Sequence, residues 1–452
     1  MATRLQDRDI ESRPAEDNSV VHLNITRRSL ILLCGLLVAP WVVLLLVVAG
    51  KPLWQAIAPV GVLSGQKSVQ SVSVRKDADD DPDDILPRIV ERKAGRWGQL
   101  QYTRIAVELP EEFVFVPPRD SKPVRWFFKG FSKEQTLDYL EKSGLTAEQL
   151  AEVRQAKVEL ALGGCWITPP EKVILQMSPG TRCKIYGTLV QYVENRPHID
   201  PFCYREQLLP ERLERSGLSD ASLGLFKSLL YNRTPPWLLF ADMETALRQI
   251  KDEGEQRRFV KTVTRKSTLL AKLRVTPESN VDELVSYWSV GGRAKDLRPL
   301  LDSLCRVEGG CMIEIVHLLP RFIRHRLYSY PFTSEESEGV KHDCFWSAFN
   351  TFSDEPDDRF SDMNYAAKIL QQQYYSILKP SQLGDLVFLA TEAGAAVHAA
   401  TYIADDLVFT KNGATYTQPW ILMRMDDMLA IYSVPQPVES PLKVHYYRRK
   451  SF

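Results

Sequence analysis

Charge of one sign is what this 452-residue chain lacks: 57 lysines and arginines face 57 aspartates and glutamates, for a formal net charge of zero. That balance removes any global electrostatic pull towards nucleic acid, so no nucleic-acid partner is expected. Cysteine is sparse as well, and none of the 7 stands in a Cys-x-x-Cys pair, which excludes the usual spacing of a structural zinc site. The acid run Asp77-Ala78-Asp79-Asp80-Asp81-Pro82-Asp83-Asp84 lacks the central glycine and terminal glutamate of a calcium loop and reads as a self-repelling spacer. Neither a metal nor another cofactor is therefore expected. What is present is an apolar fraction of 44%, ordinary for a packed core, in a chain long enough for two or three domains.

One long apolar run stands out. From Leu30 to Ala49 the chain is almost uninterruptedly apolar, and its length matches a membrane-spanning helix. Arg27-Arg28 precede it and only Lys51 follows closely, so the positive-inside rule leaves the tail in the cytoplasm and the bulk of the chain periplasmic or extracellular. Val48-Ala49-Gly50 is a poor signal-peptidase site, and Leu33 stands before Cys34 where a lipoprotein signal needs a small residue. The expected organisation is a cytoplasmic tail (1–28), a single-pass transmembrane anchor (29–50), a linker (51–88), a mainly α-helical domain (89–325) and an α+β domain (326–452).

Within the middle region, Ile105 to Val116 alternates like a strand and stops at Pro117-Pro118. Ser132-Lys133-Glu134-Gln135 and Thr146-Ala147-Glu148-Gln149 are capping boxes that announce two helices separated by Gly144. Such a pair has the form of a helix-turn-helix, but the neutral charge and outside location favour helix packing. Pro179 to Glu194, Ser219 to Tyr231, Asp242 to Lys251, Val281 to Trp288 and Asp296 to Val307 also suit helices. Cys305 and Cys311, flanking Gly309-Gly310, are the expected disulfide partners in an oxidising compartment.

Chemistry enters near the C-terminus. Asp343 is a good N-cap, and the apolar spacing after it makes Cys344 open a buried helix. A thiol there meets unpaired first-turn N–H groups, which favour thiolate and can hold an oxyanion. The alternative is an ordinary buried cysteine. Leu383 to Leu389, Ala396 to Ile403 and Leu407 to Lys411 read as a strand meander with Asp405-Asp406 in its last turn. A three-residue loop would set His398 opposite Asn412, with Thr410 on the same face. His398 would be the base, and Asn412 the residue that orients it, because an amide carbonyl accepts an imidazole N–H better than a rotating hydroxyl does.

These elements, Asp343-Cys344, Gly384-Asp385-Leu386-Val387-Phe388, and His398 with Tyr402-Ile403, resemble the NlpC-type cell-wall cysteine peptidases over roughly the last quarter of the chain. The resemblance implies a circularly permuted papain-like fold with an antiparallel sheet and a Cys-His-polar triad. Tyr328-Ser329-Tyr330 resembles the family's upstream Tyr-x-aromatic element. The chain departs from the family in two places: Phe345-Trp346 replaces the small pair after the nucleophile, and Pro331-Phe332 replaces the usual Gly-Gly. The family's third polar residue sits nearer Thr410 by counting. The implied catalytic residues are Cys344, His398 and Asn412 or Thr410, with Tyr328, Tyr330, Phe345, Trp346 and Trp420 against the ligand.

The function expected is a membrane-anchored cysteine peptidase or amidase whose partner is an amide-containing envelope substrate such as the peptide stem of peptidoglycan. The alternative is a papain-like module that has lost turnover and serves in binding or assembly. Intact Cys344 and His398 favour the first, and the altered flanks favour the second.

Overall fold

A computed structural model of the chain describes residues 89–118, 122–161, 163–233, 235–331, 341–433 and 441–451. The Leu30–Ala49 run and the acid spacer lie outside the described residues. Among the described residues no helix is long and apolar enough to cross a membrane.

The architecture is α+β, with antiparallel sheets throughout. The middle region is less helical than its sequence suggests. It holds a four-stranded sheet, Val90–Glu91, Gln99–Val107, Lys266–Val275 and Cys311–Glu314, and two three-stranded sheets. The reason is local: Trp126–Lys129 and Trp237–Phe240 are strands of 4 residues each, too short for period 2 and period 3.6 to differ. The two capping boxes form as expected, on helices Lys133–Ser143 and Ala147–Gln155, with Gly144 in the left-handed conformation between them. Leu140, Leu150 and Val153 pack into a core with Trp126, Phe128 and Ile167, so the pair serves to cover a sheet. Val281–Trp288 is a helix over its whole expected length.

The last part of the chain is built on a six-stranded sheet in the order Tyr374–Ile377, Lys443–Arg449, Leu386–Ala390, Ala396–Ala404, Leu407–Lys411, Trp420–Arg424. Helix Cys344–Phe349 lies in the core on one face, with Ala399, Ile403 and Phe409. Helix Met425–Ser433 contributes Met428 to the core on the other, with Ala400, Tyr402 and Val408. Packing is continuous across residue 326: Thr268 Oγ1 donates to Leu422 O at 2.8 Å and accepts from Leu422 N at 3.0 Å, joining the middle sheet to the last one.

The Gly-Asp element has a structural role. Asp385 is buried, accepts from the backbone of Ser381 and Gln382, and pairs with Arg448 at 2.6 Å, tying the strand to the sheet's other half. Gly384 has φ of 93°, and a side chain there would run into the Phe352 ring. Gly384→Ala is expected to cost more than about 1 kcal/mol, read as a fall in Tm. Cys305 and Cys311, expected to be bridged, are free thiols, and Cys311 Sγ turns instead to Leu304 O at 3.7 Å.

Candidate active site

Strand Ala396–Ala404 pairs with Leu386–Ala390 from its first residue, but with Leu407–Lys411 only from Thr401 onward. Tyr402 donates to Asp385 and accepts from Gly384 on the first side, and alternation therefore turns Ala399 and Thr401 towards Leu407–Lys411. The two strands part where Ala399 presents its N–H. Cys344 fills that place: its sulfur is close enough to the Ala399 N–H to be stabilised by it.

Asp343 caps the cysteine helix by accepting from Trp346 N at 2.9 Å. The expected thiolate is nevertheless not formed. Burial and the Asp343 carboxylate push the Cys344 thiol up to about 12, against the smaller pull of the Ala399, Phe345 and Cys344 N–H groups. The helix is only 6 residues long and Cys344 is 6% exposed, so desolvation of the anion wins.

His398 is fully buried, shares its face with Ala400 and Tyr402, and lies under the Tyr432 ring at 4.0 Å. Its Nε2 pairs with Thr410 Oγ1 at 2.7 Å, while its Nδ1 has no partner. Burial alone brings its pKa down to about 3, so the ring is neutral. Asn412, preferred over Thr410 on chemical grounds, is the wrong choice of partner. Its Nδ2 donates to Met423 Sδ at 3.4 Å and its Oδ1 is buried without a partner. The diagonal neighbour two residues back is within imidazole reach once the strands separate. Among the described residues no hydrogen bond joins Cys344 to His398. The cysteine helix covers one face of the sheet and the histidine ring stands on the other, with Ala399 between them.

The aromatic residues expected against the ligand have packing roles instead. Trp346 and Trp420 are buried, with ring centres 6.3 Å apart, and give their indole N–H groups to Asp358 and Ser347. Phe345 packs on Phe388. Tyr328 and Tyr330 donate to the carbonyls of Leu269 and Val107. His342, two residues before the cysteine, is buried with its ring 4.0 Å from that of Trp346.

A cavity of about 730 Å³ lies where strands Gln99–Val107, Lys266–Val275, Phe202–Arg205 and Trp420–Arg424 converge, and Asn412 and Tyr432 form part of its wall. Tyr432 thus stands between this space and His398, near enough to Cys344 for the two to interact electrostatically. Sequence reasoning missed Tyr432, Asp200 and Lys266 in this wall, because nothing in their local patterns separates them from surface residues. No family model, curated protein or solved structure matches the chain.

Proposed function

We propose that the chain is a membrane-anchored, extracytoplasmic cysteine hydrolase that cleaves an amide bond, with a papain-like C-terminal part and the Leu30–Ala49 run as its anchor. The observation that carries this reading is the hydrogen bond between His398 Nε2 and Thr410 Oγ1, which orients the ring and leaves Nδ1 uncommitted one residue from the Ala399 N–H that holds the Cys344 sulfur. Cys344 is the nucleophile, His398 the base, and Thr410 its positioning residue. Cys344 and His398 stand on opposite faces of the sheet, so turnover requires the strand around Ala399 to rearrange and bring the two together, a larger change than the tightening of a long hydrogen bond.

In the reaction, His398 Nδ1 takes the Cys344 proton as the sulfur bonds to the amide carbon. The oxyanion is met by N–H groups such as that of Ala399. Its collapse breaks the C–N bond, and the imidazolium protonates the departing amine. Water then attacks the thioester, with His398 as base, releasing the acid and restoring the thiol. An amide of the cell wall is the substrate class favoured by the sequence resemblance.

The sealed thiol, raised to about 12, favours a second reading, a binding module without turnover. Iodoacetamide labelling of the full-length chain at pH 7.5 decides between them. For the hydrolase, substrate-like peptide amides are expected to speed Cys344 labelling above that of the other cysteines, and His398→Ala to slow it at least tenfold. Cys344 labelling that is no faster than Cys165, with or without peptide amides, would leave only the binding module.

A further inference from the structure

The cavity beside Tyr432 is lined by eight lysines and arginines, Arg104 among them, against three carboxylates, Asp200, Glu211 and Asp427. Arg205 pairs with Asp427, Arg424 with Asp406 at 2.7 Å, and Arg265 with Glu108 at 2.5 Å. Four further cations line the same space without a carboxylate in ion-pair reach among the described residues: Arg212, Arg215, Arg233 and Lys266. Arg212 gives its donors to the carbonyls of Thr262 and Arg265 and lies over the Tyr204 ring at 4.7 Å.

Lys266 is the most deeply placed of the four. Its ammonium makes no hydrogen bond among the described residues and has only the Phe202 ring, 5.1 Å away. Surrounding protein brings its pKa down to about 8, against the pull of Asp200 and Cys203. Asp200, the carboxyl group that it senses, lies beyond ion-pair distance and is open to solvent. A half-buried ammonium with no anion beside it is costly, and a ligand anion is the group that would relieve it.

The rest of the wall describes the remainder of the ligand. Tyr231, Trp237, Leu239 and Ile431 are aromatic or aliphatic. His198 is buried with both ring nitrogens unpartnered, and Asn412 Oδ1 is an unpartnered acceptor. The volume lies in the range of about 300–1,000 Å³ typical of small-molecule sites.

We propose that this cavity binds an organic anion, its charged group at Lys266 and its apolar body against Tyr231 and Trp237. This rests on the reading above in one respect: the cavity is taken as the space from which ligand approaches Tyr432 and His398. The substrate of the hydrolase is then an amide that also carries an anionic group.

Fluorescence titration of the full-length chain with dansylglycine, an anion, and dansylamide, its neutral counterpart, tests the assignment. Dansylglycine is expected to bind at least tenfold tighter than dansylamide. Lys266→Met is expected to weaken dansylglycine at least tenfold and to leave dansylamide within twofold, while Lys266→Arg retains most of the preference. Lys266→Gln carries the same comparison should Lys266→Met fail to give a cooperative thermal transition. Equal binding of the two probes, absence of saturable binding, or an unchanged dansylglycine affinity in a folded Lys266 variant overturns the proposal. Each of these results leaves the Cys344 labelling experiment intact, and an unreactive Cys344 leaves the titration intact, so the two failures are separable.

Discussion

Acidification from pH 7 to pH 4 is expected to cost the fold about 3 kcal/mol at each of two histidines, and the urea midpoint should fall steeply across that range. His198 and His398 are 1% and 0% exposed, and burial brings both down to about 3 from an ordinary 6.5. The unfolded chain therefore binds protons below pH 6.5 that the folded chain refuses until about pH 3. Stability is complete above 6.5 and is lost as the pH falls through that window. Asp242 works the other way: burial raises it to about 6, so protonating it between 6 and 3.8 returns about 2 kcal/mol. The histidines win because there are two of them and each shift is larger. Against a total stability of about 5–15 kcal/mol, the net loss is enough to bring many domains near their midpoint. His198→Gln and His398→Gln should each remove about half of the pH dependence. A midpoint that stays level from pH 7 to 4, or that falls as steeply in the double variant, would refute the assignment of both rings as buried and neutral.

The same two rings show what could and could not be read before the fold was known. His398 was legible because strand alternation, the Asp405-Asp406 turn and the preceding Gly-Asp element act over a few residues. The register that they imply holds at Thr401 with Phe409 and Tyr402 with Val408, but beside the turn an irregularity at Ile403 sets Ala404, not Ile403, opposite Leu407. What was not legible is the end of the pairing before Thr401, where Cys344, from another element, meets the Ala399 N–H. That break made Thr410, not Asn412, the imidazole partner. The thiolate expectation failed for a related reason: sequence shows a helix start and a cap but not the depth at which they are buried, and depth decides the sign of a thiol's shift. His198, Asp200 and Lys266 meet in one cavity only because the sheets converge, so no local pattern announced them. Helices with caps and an apolar stripe, such as Lys133–Ser143 and Val281–Trp288, were legible almost to the residue. Four-residue strands such as Trp237–Phe240 were not, since they are too short to show a period and one partner, Phe202–Arg205, lies well before them in the chain.

Arg182→Met is expected to lower stability by about 3–5 kcal/mol, among the largest losses from a single side chain in this molecule. Arg182 is fully buried and lies 3.4 Å from the carboxylate of Asp242, itself buried, while its remaining donors go to Leu229 O at 3.3 Å and Ile174 O at 2.5 Å. The Nε–Oδ2 approach is too poorly aligned to count as a hydrogen bond, so the pair is held mainly by charge. Asp242 has one firm hydrogen bond, from the Tyr186 hydroxyl at 2.5 Å. Removing the guanidinium leaves two carbonyls without a donor and a carboxylate with only the Tyr186 hydroxyl in a space closed to water. Asp242 would then have to bind a proton to remain inside. The double variant Arg182→Met, Asp242→Asn should therefore recover part of the loss, because Asn keeps an acceptor for Tyr186 without carrying charge. Urea unfolding of wild type, both single variants and the double variant at pH 7.5 closes the cycle. If the double variant is as unstable as the sum of the singles, the two groups do not act as a pair, and the core around Tyr186 and Tyr231 is held by packing alone.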